Sequence, residues 1–113
     1  MKITTHKTDW GVTKMFANED NTVRFAIYFY YDDLTTIYFS NLFIDEKHRN
    51  KGYADKILEY VFAYVKQYNY TSVILNVTKN SWMESWYKRK GFYFMTDCVG
   101  DYEGNVWLKK EVL

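Results

Sequence analysis

The stretch Leu42-Phe43-Ile44-Asp45-Glu46-Lys47-His48-Arg49-Asn50-Lys51-Gly52-Tyr53-Ala54 changes character part-way along. Its first three residues end an apolar, strand-like run. An acidic and then basic turn follows, and from Ala54 the apolar residues Ala54, Ile57, Leu58, Val61, Phe62 and Val65 recur at offsets of three and four, which predicts a helix buried along one stripe. A strand end feeding a helix start leaves free backbone N–H groups and the positive end of the helix dipole together, an arrangement suited to an anion. Gly52 and the small Ala54 would let such a group approach the backbone, and Arg49 and Lys51 add charge. The competing reading is a loop glycine in a solvated basic turn.

Upstream, residues 11–17, 22–31 and 35–44 are rich in Val, Ile, Thr, Phe and Tyr and are separated by Asn18-Glu19-Asp20-Asn21 and Asp32-Asp33-Leu34. That pattern predicts an antiparallel meander of three strands with Asn/Asp turns. Downstream, residues 72–77 (Ser-Val-Ile-Leu-Asn-Val) form a short apolar run reached through the helix, hence a buried strand paired in parallel. Ser81-Trp82-Met83-Glu84 has capping-box spacing and opens a second helix over about 82–90, stopped at Gly91. Residues 92–98 and 106–112 read as a last hairpin. The expected fold is α+β with a mixed sheet: antiparallel meander, helix, parallel strand, helix and C-terminal hairpin.

Composition narrows the function classes. The 113 residues suit one domain, 1–113, and 24 aromatics among them (12 Tyr, 8 Phe, 4 Trp) are enough both to fill a core and to line a cleft. Proline is absent, which removes Pro-rich linkers and recognition segments. A net charge of +1 gives no footprint for nucleic acid or an anionic membrane, so neither partner is expected. A single cysteine, Cys98, excludes an internal disulfide and a multi-cysteine zinc site, and no metal is expected. Residues 1–10 are polar, and no run reaches the roughly 18 apolar residues of a membrane span; the expected location is cytoplasmic.

Arg49-Asn50-Lys51-Gly52-Tyr53-Ala54 resembles the R/Q-x-x-G-x-G/A pyrophosphate loop of the GNAT superfamily of N-acetyltransferases. Asn80, Met83, Tyr87 and Lys90-Gly91-Phe92 resemble a second segment of the same family, N-x-x-A-x-x-x-Y-x-x-x-G-F, with Met83 where a small residue is usual. The two motifs stand in the expected order with a helix and a short strand between them, and the resemblance spans about residues 10–113. Family members usually place a strand and two helices before the hairpins, and those helices help to form the acceptor site. Residues 1–9 have room for at most one short strand, so the resemblance implies an open acceptor side unless a partner subunit covers it.

The resemblance implies a fold with acetyl-CoA as co-substrate and an amine as acceptor, protein-borne or small. Leu42, Phe43 and Ile44 would offer strand backbone to the pantetheine, and backbone N–H groups near Leu42 and Phe43 would face the developing oxyanion. Arg49, Asn50, Lys51, Gly52, Tyr53 and Ala54 would hold the pyrophosphate, and Asn80 would belong to the cofactor site. Tyr87 would be the acid for the leaving thiolate in a direct transfer without a covalent enzyme intermediate; a phenol, with an ordinary pKa of about 10, keeps its proton at neutral pH. No general base is evident, because residues 37–44 carry no carboxylate or histidine, and a water relay through Ser40 or Asn41 is the alternative. Asp45 and Glu46 read as turn acids, His48 as a surface residue, Cys98 as a buried strand cysteine, and Lys88, Arg89 and Lys90 as cations suited to a helix C-terminus. His6 falls in an unplaced tail. The resemblance leaves room for a homodimer.

Two other readings compete. Residues 37–42 and 90–95 partly resemble the two aromatic boxes of an RNA-recognition sheet, but a capped helix runs directly into Gly91 and the basic footprint is missing. Alternatively, the domain would hold CoA or a protein partner without turnover, for which the lack of a strand carboxylate counts and against which the intact loop and Tyr87 count.

Overall fold

Alternating apolar and polar residues along the first third of the chain become paired strands in the computed structural model, which describes residues 1–95 and 104–112. The elements run β1 (Lys2–Lys7), β2 (Gly11–Ala17), β3 (Val23–Tyr30), β4 (Asp33–Ile44), a 3-10 turn (Glu46–His48), α1 (Tyr53–Gln67), β5 (Ser72–Thr78), α2 (Trp82–Arg89), β6 (Tyr93–Phe94) and β7 (Asn105–Glu111). They build one seven-stranded sheet in the order β1-β2-β3-β4-β5-β7-β6. The expected mixed α+β architecture is present: an antiparallel meander, then β5 parallel to β4, then β7 inserted antiparallel between β5 and β6.

The meander has four strands rather than three. Residues 2–7 pair along their whole length with β2, from Lys2 opposite Ala17 to Lys7 opposite Val12, which places His6 opposite Thr13. All six residues of β1 are exposed, so the strand carries no buried face for apolar alternation to reveal. Thr8 closes the turn by donating its N–H to the Gly11 carbonyl at 2.9 Å. Gly11 is required there because a Cβ would lie 1.9 Å from the Phe29 carbonyl oxygen across the ladder. At the other edge, β6 pairs only Tyr93 and Phe94 with Lys109 and Leu108. The remainder of that expected strand, with Cys98, lies outside the described residues.

The core forms between one sheet face and the helices. Phe16, Phe25, Ile27, Ile37, Phe39, Val73, Leu75 and Leu108 meet Ile57, Leu58, Val61 and Val65 of α1 in one buried cluster that also contains Tyr87 and Phe92. Val61 and Val65 are wholly buried, each contributing roughly 1.5–3 kcal/mol. α2 is capped at Ser81, whose Oγ accepts the Glu84 N–H at 3.2 Å, and Gly91 follows it with φ 99. The reciprocal half of the capping box is not formed: the Ser81 N–H donates to the Thr78 carbonyl at 3.3 Å, and the Glu84 carboxylate lies 4.0 Å from Lys88 Nζ. Asp55, in the first turn of α1, is ion-paired with Lys90 at the end of α2, which ties the two helices together over the same face.

The opposite face carries Trp10, Tyr28, Tyr30, Tyr38 and Trp107. Ring centroids run Tyr30 to Trp10 5.3 Å, Trp10 to Tyr28 6.0 Å, Tyr28 to Tyr38 5.3 Å and Tyr38 to Trp107 5.3 Å, an aromatic belt crossing the sheet. Among the described residues no helix covers it.

Candidate active site

The site begins where β4 and β5 stop pairing. Their parallel ladder holds only Thr36 with Ser72, Ile37 with Val73 and Tyr38 with Ile74. A buried contact of 2.8 Å between Thr36 Oγ1 and Ser72 Oγ pins the closed end. Beyond Tyr38 and Ile74 the strands separate, so among the described residues the β5-facing amides and carbonyls of residues 39–44 have no ladder partner. The opening is a cleft of about 480 Å³ with Ser40, Asn41 and Leu42 on one wall and Asn76 on the other. Met83 and Tyr87 of α2 form part of its lining.

A bulge in β4 sets the shape of that wall. Ala26 faces Ser40 and Arg24 faces Phe43, so two residues of β3 are spanned by three of β4. Asn41 takes the left-handed conformation, φ 58, and its Nδ2 donates to Tyr28 Oη at 3.1 Å. A one-residue insertion bends a strand and turns its free amides. Nothing in the chain's periodicity marks it; the available signal is an asparagine inside an otherwise apolar and aromatic run, since Asn tolerates positive φ.

At the far end of β4, Asp45 accepts the Lys47 N–H at 3.1 Å and starts the 3-10 turn. Arg49 Nε donates to the Ile44 carbonyl at 2.9 Å, drawing the loop back against the strand. Asn50 (φ 61) and Gly52 (φ 79) are both left-handed, and α1 begins at Tyr53 with Gly52 as its N-cap and no side chain capping it. The first intrahelical bond is Lys56 N–H to the Gly52 carbonyl, 3.2 Å, so the N–H groups of Tyr53, Ala54 and Asp55 have no helical acceptor. A Cβ on Gly52 would meet nothing within 4 Å, so the space beside the residue that opens α1 is free. Free amides at a helix start suit an anionic group, and an unpaired strand edge suits a polar chain.

A family model for the acetyltransferase (GNAT) domain matches residues 12–93. The chain belongs to the GNAT acetyltransferase family. It is thereby an acetyl-CoA-dependent N-acetyltransferase by family. No curated protein matches the sequence. Solved structures agree on the fold at low identity. A putative GNAT acetyltransferase from Desulfovibrio desulfuricans superposes with a TM-score of 0.74 at 13% identity, over 92% of this chain and 70% of that one. A GNAT acetyltransferase from Elizabethkingia anophelis with acetyl-CoA bound gives 0.68 at 15% identity, over 97% of both chains. An aminoglycoside 6'-N-acetyltransferase complexed with coenzyme A gives 0.68 at 10%, over 94% and 75%.

Within this GNAT domain the residues singled out from the sequence fall into distinct places. Leu42 lines the cleft, whereas the Phe43 side chain lies on the bare face beneath Arg24, whose guanidinium carbon is 4.4 Å from the ring centroid. Tyr53 is partly exposed and packs edge-on against His48, with centroids 5.4 Å apart. Lys51 is exposed. Asn80 is left-handed (φ 61) in the exposed turn before α2, and the cleft wall beside it is formed instead by Ser81, Trp82 and Met83. The turn is held by Lys79 N–H to the Gly104 carbonyl, 2.7 Å.

Tyr87 is buried, with its ring 5.0 Å from Trp86 and 5.4 Å from Phe92, and it also lines the cleft. Burial pushes its phenol well above the ordinary value of 10, because the phenolate would lose its hydration. Between β1 and β2 the chain runs through residues 8–10 alone, so no helix intervenes on the bare face at that point. The two segments resembling RNA-binding boxes lie on β4 and around β6, with β5 and β7 between them, so their aromatics share no single platform. Among the described residues no group of three or more His, Cys, Asp or Glu is arranged to hold a metal, and no helix is long and apolar enough to cross a membrane.

Proposed function

We propose that the domain transfers an acetyl group from acetyl-CoA to a primary amine by direct attack in a ternary complex, with Tyr87 as the acid. The observation that carries the reading is the β4–β5 fork, whose cleft is lined by the buried Tyr87 and whose β4 wall runs on toward the uncapped start of α1. Acetyl-CoA supplies an acetyl group activated as a thioester. The unpaired amides of β4 beyond Tyr38 offer donors to a pantetheine chain and to the thioester oxygen, as the interrupted ladder leaves them free. The N–H groups of residues 53–55, with Arg49 and Lys51 beside them, receive the pyrophosphate. Tyr87 keeps its proton throughout the neutral range and delivers it to the departing sulfur. Ser40 and Asn41 line the cleft, and water held by them would carry the amine's proton to solvent. The acetyl–sulfur bond breaks as the nitrogen–acetyl bond forms, so one amide and one thiol result.

Calorimetric titration with acetyl-CoA tests the cofactor site, and thiol release with an amine panel tests turnover. Micromolar binding lost in the Arg49→Ala, Gly52→Asp double variant supports the reading. No binding by well-folded protein would overturn it. Binding without turnover by any amine would instead favour a CoA-holding module.

A further inference from the structure

The bare face of the sheet holds a second cavity, about 660 Å³, that adjoins the cofactor cleft. The register places Thr4 opposite Met15, Met15 opposite Ala26, Ala17 opposite Arg24 and Arg24 opposite Phe43, so these side chains share the face turned away from the helices. Asn41 lines both this cavity and the cleft, which makes the bulge the connection between them. Ala26, opposite Ser40, is the small residue that leaves room beside it.

Among the described residues, the charged side chains that line the cavity are Lys2 and Arg24, both cationic, and no carboxylate joins them. Arg24 rests on the Phe43 ring and, among the described residues, forms no salt bridge, so its guanidinium fork is held in place with its donors unspent. Lys2 Nζ donates to the Glu19 carbonyl at 3.2 Å and, among the described residues, forms no salt bridge. Asn21 of the β2–β3 turn is at the rim, and the carboxylate of neighbouring Asp20 is engaged by Thr22 Oγ1 at 2.7 Å. A polycationic amine would be repelled from such a cavity. An amine that also carries an anion would be oriented by it, the anion toward Arg24 and the amino group toward Asn41 and the fork.

Resting on the acetyltransferase reading, we infer that the acceptor is an amine bearing an anionic group, a carboxylate or a phosphate, bound in this cavity with Arg24 as its specificity residue. The test titrates desulfo-CoA-loaded protein with glutamate, phosphoethanolamine and spermidine, and measures thiol release from acetyl-CoA with the same three. Glutamate or phosphoethanolamine should bind and turn over at least tenfold better than spermidine, and the better of the two tells carboxylate from phosphate. Arg24→Ala should raise KM for that acceptor about tenfold with kcat within about twofold and acetyl-CoA affinity unchanged. Arg24→Glu should shift preference toward spermidine. Preference for spermidine by the wild type, no binding of either anionic amine, or an Arg24→Ala variant with unaltered KM would each overturn the inference. Failure of the cofactor reading is read separately, as absent acetyl-CoA binding. Arg24 is exposed, so circular dichroism and melting should show the variants folded.

Discussion

Arg49 Nε donates to the Ile44 carbonyl at 2.9 Å, so the side chain expected to meet phosphate also fastens the loop to the end of β4. One edge of the guanidinium is used in positioning and the remainder is left for a ligand. This predicts a divided effect. Arg49→Ala should weaken acetyl-CoA binding about tenfold, from one lost charge-assisted contact and a looser loop, while lowering stability by no more than about 1 kcal/mol. Arg49→Lys should recover only part of the affinity, because a lysine cannot serve both contacts. Equal affinity of the alanine variant and wild type in calorimetry would remove Arg49 from the site.

Tyr87 predicts a pH signature. Its folded pKa is raised above 10, so below pH 10 the phenol is protonated in both folded and unfolded chains and contributes no pH dependence to stability. Above pH 10 the unfolded chain releases the proton first, and stability falls as pH rises. The melting temperature should therefore decline above pH 10 less steeply in Tyr87→Phe than in wild type, and kcat should show no alkaline limb from Tyr87 up to that pH. At neutral pH, Tyr87→Phe should lower kcat about 10²-fold or more with acetyl-CoA affinity nearly unchanged. A Phe variant with wild-type turnover would leave the acid role without support. Tyr64 is also raised by burial, so part of the alkaline slope remains in the variant.

Much of this architecture is legible in the sequence. The apolar stripe from Ala54 to Val65 marked α1, and the change from Ile44 to Gly52 marked the loop, because both depend on local periodicity and backbone chemistry. β1 escaped for a physical reason: a fully exposed edge strand buries no face, so its residues show no alternation. The bulge escaped because an inserted residue at Asn41 is a matter of register between strands, which no single segment encodes. The cavity near Arg24 escaped for the same reason, since its lining comes from β1 to β4 and only strand pairing assembles it.

The bulge itself can be tested through its conformation. Asn41 has φ 58, a value glycine adopts freely and a β-branched residue resists. Asn41→Gly should keep the bulge and lose only the Tyr28 bond, costing about 1 kcal/mol or less. Asn41→Val should cost about 1–2 kcal/mol or more, and by straightening β4 should weaken acetyl-CoA binding beyond the glycine variant. Denaturant melts and calorimetry on both variants decide the point: if Val and Gly behave alike in binding, the bulge does not shape the cleft.

Gly52 separates fold from function most sharply. Its φ of 79 penalises any side chain, yet a Cβ there would meet nothing within 4 Å. Gly52→Ala should therefore cost only the backbone strain, about 1 kcal/mol, with the core untouched. Gly52→Asp carries the same backbone strain and adds a carboxylate at the start of α1. The same carboxylate occupies and neutralises the anion site. The aspartate variant should thus melt within a few degrees of the alanine variant but bind acetyl-CoA at least 100-fold more weakly. Retained acetyl-CoA affinity in Gly52→Asp would mean that the start of α1 is not where the pyrophosphate sits, and the anion would then have to be sought among Lys51, Lys88 and Arg89.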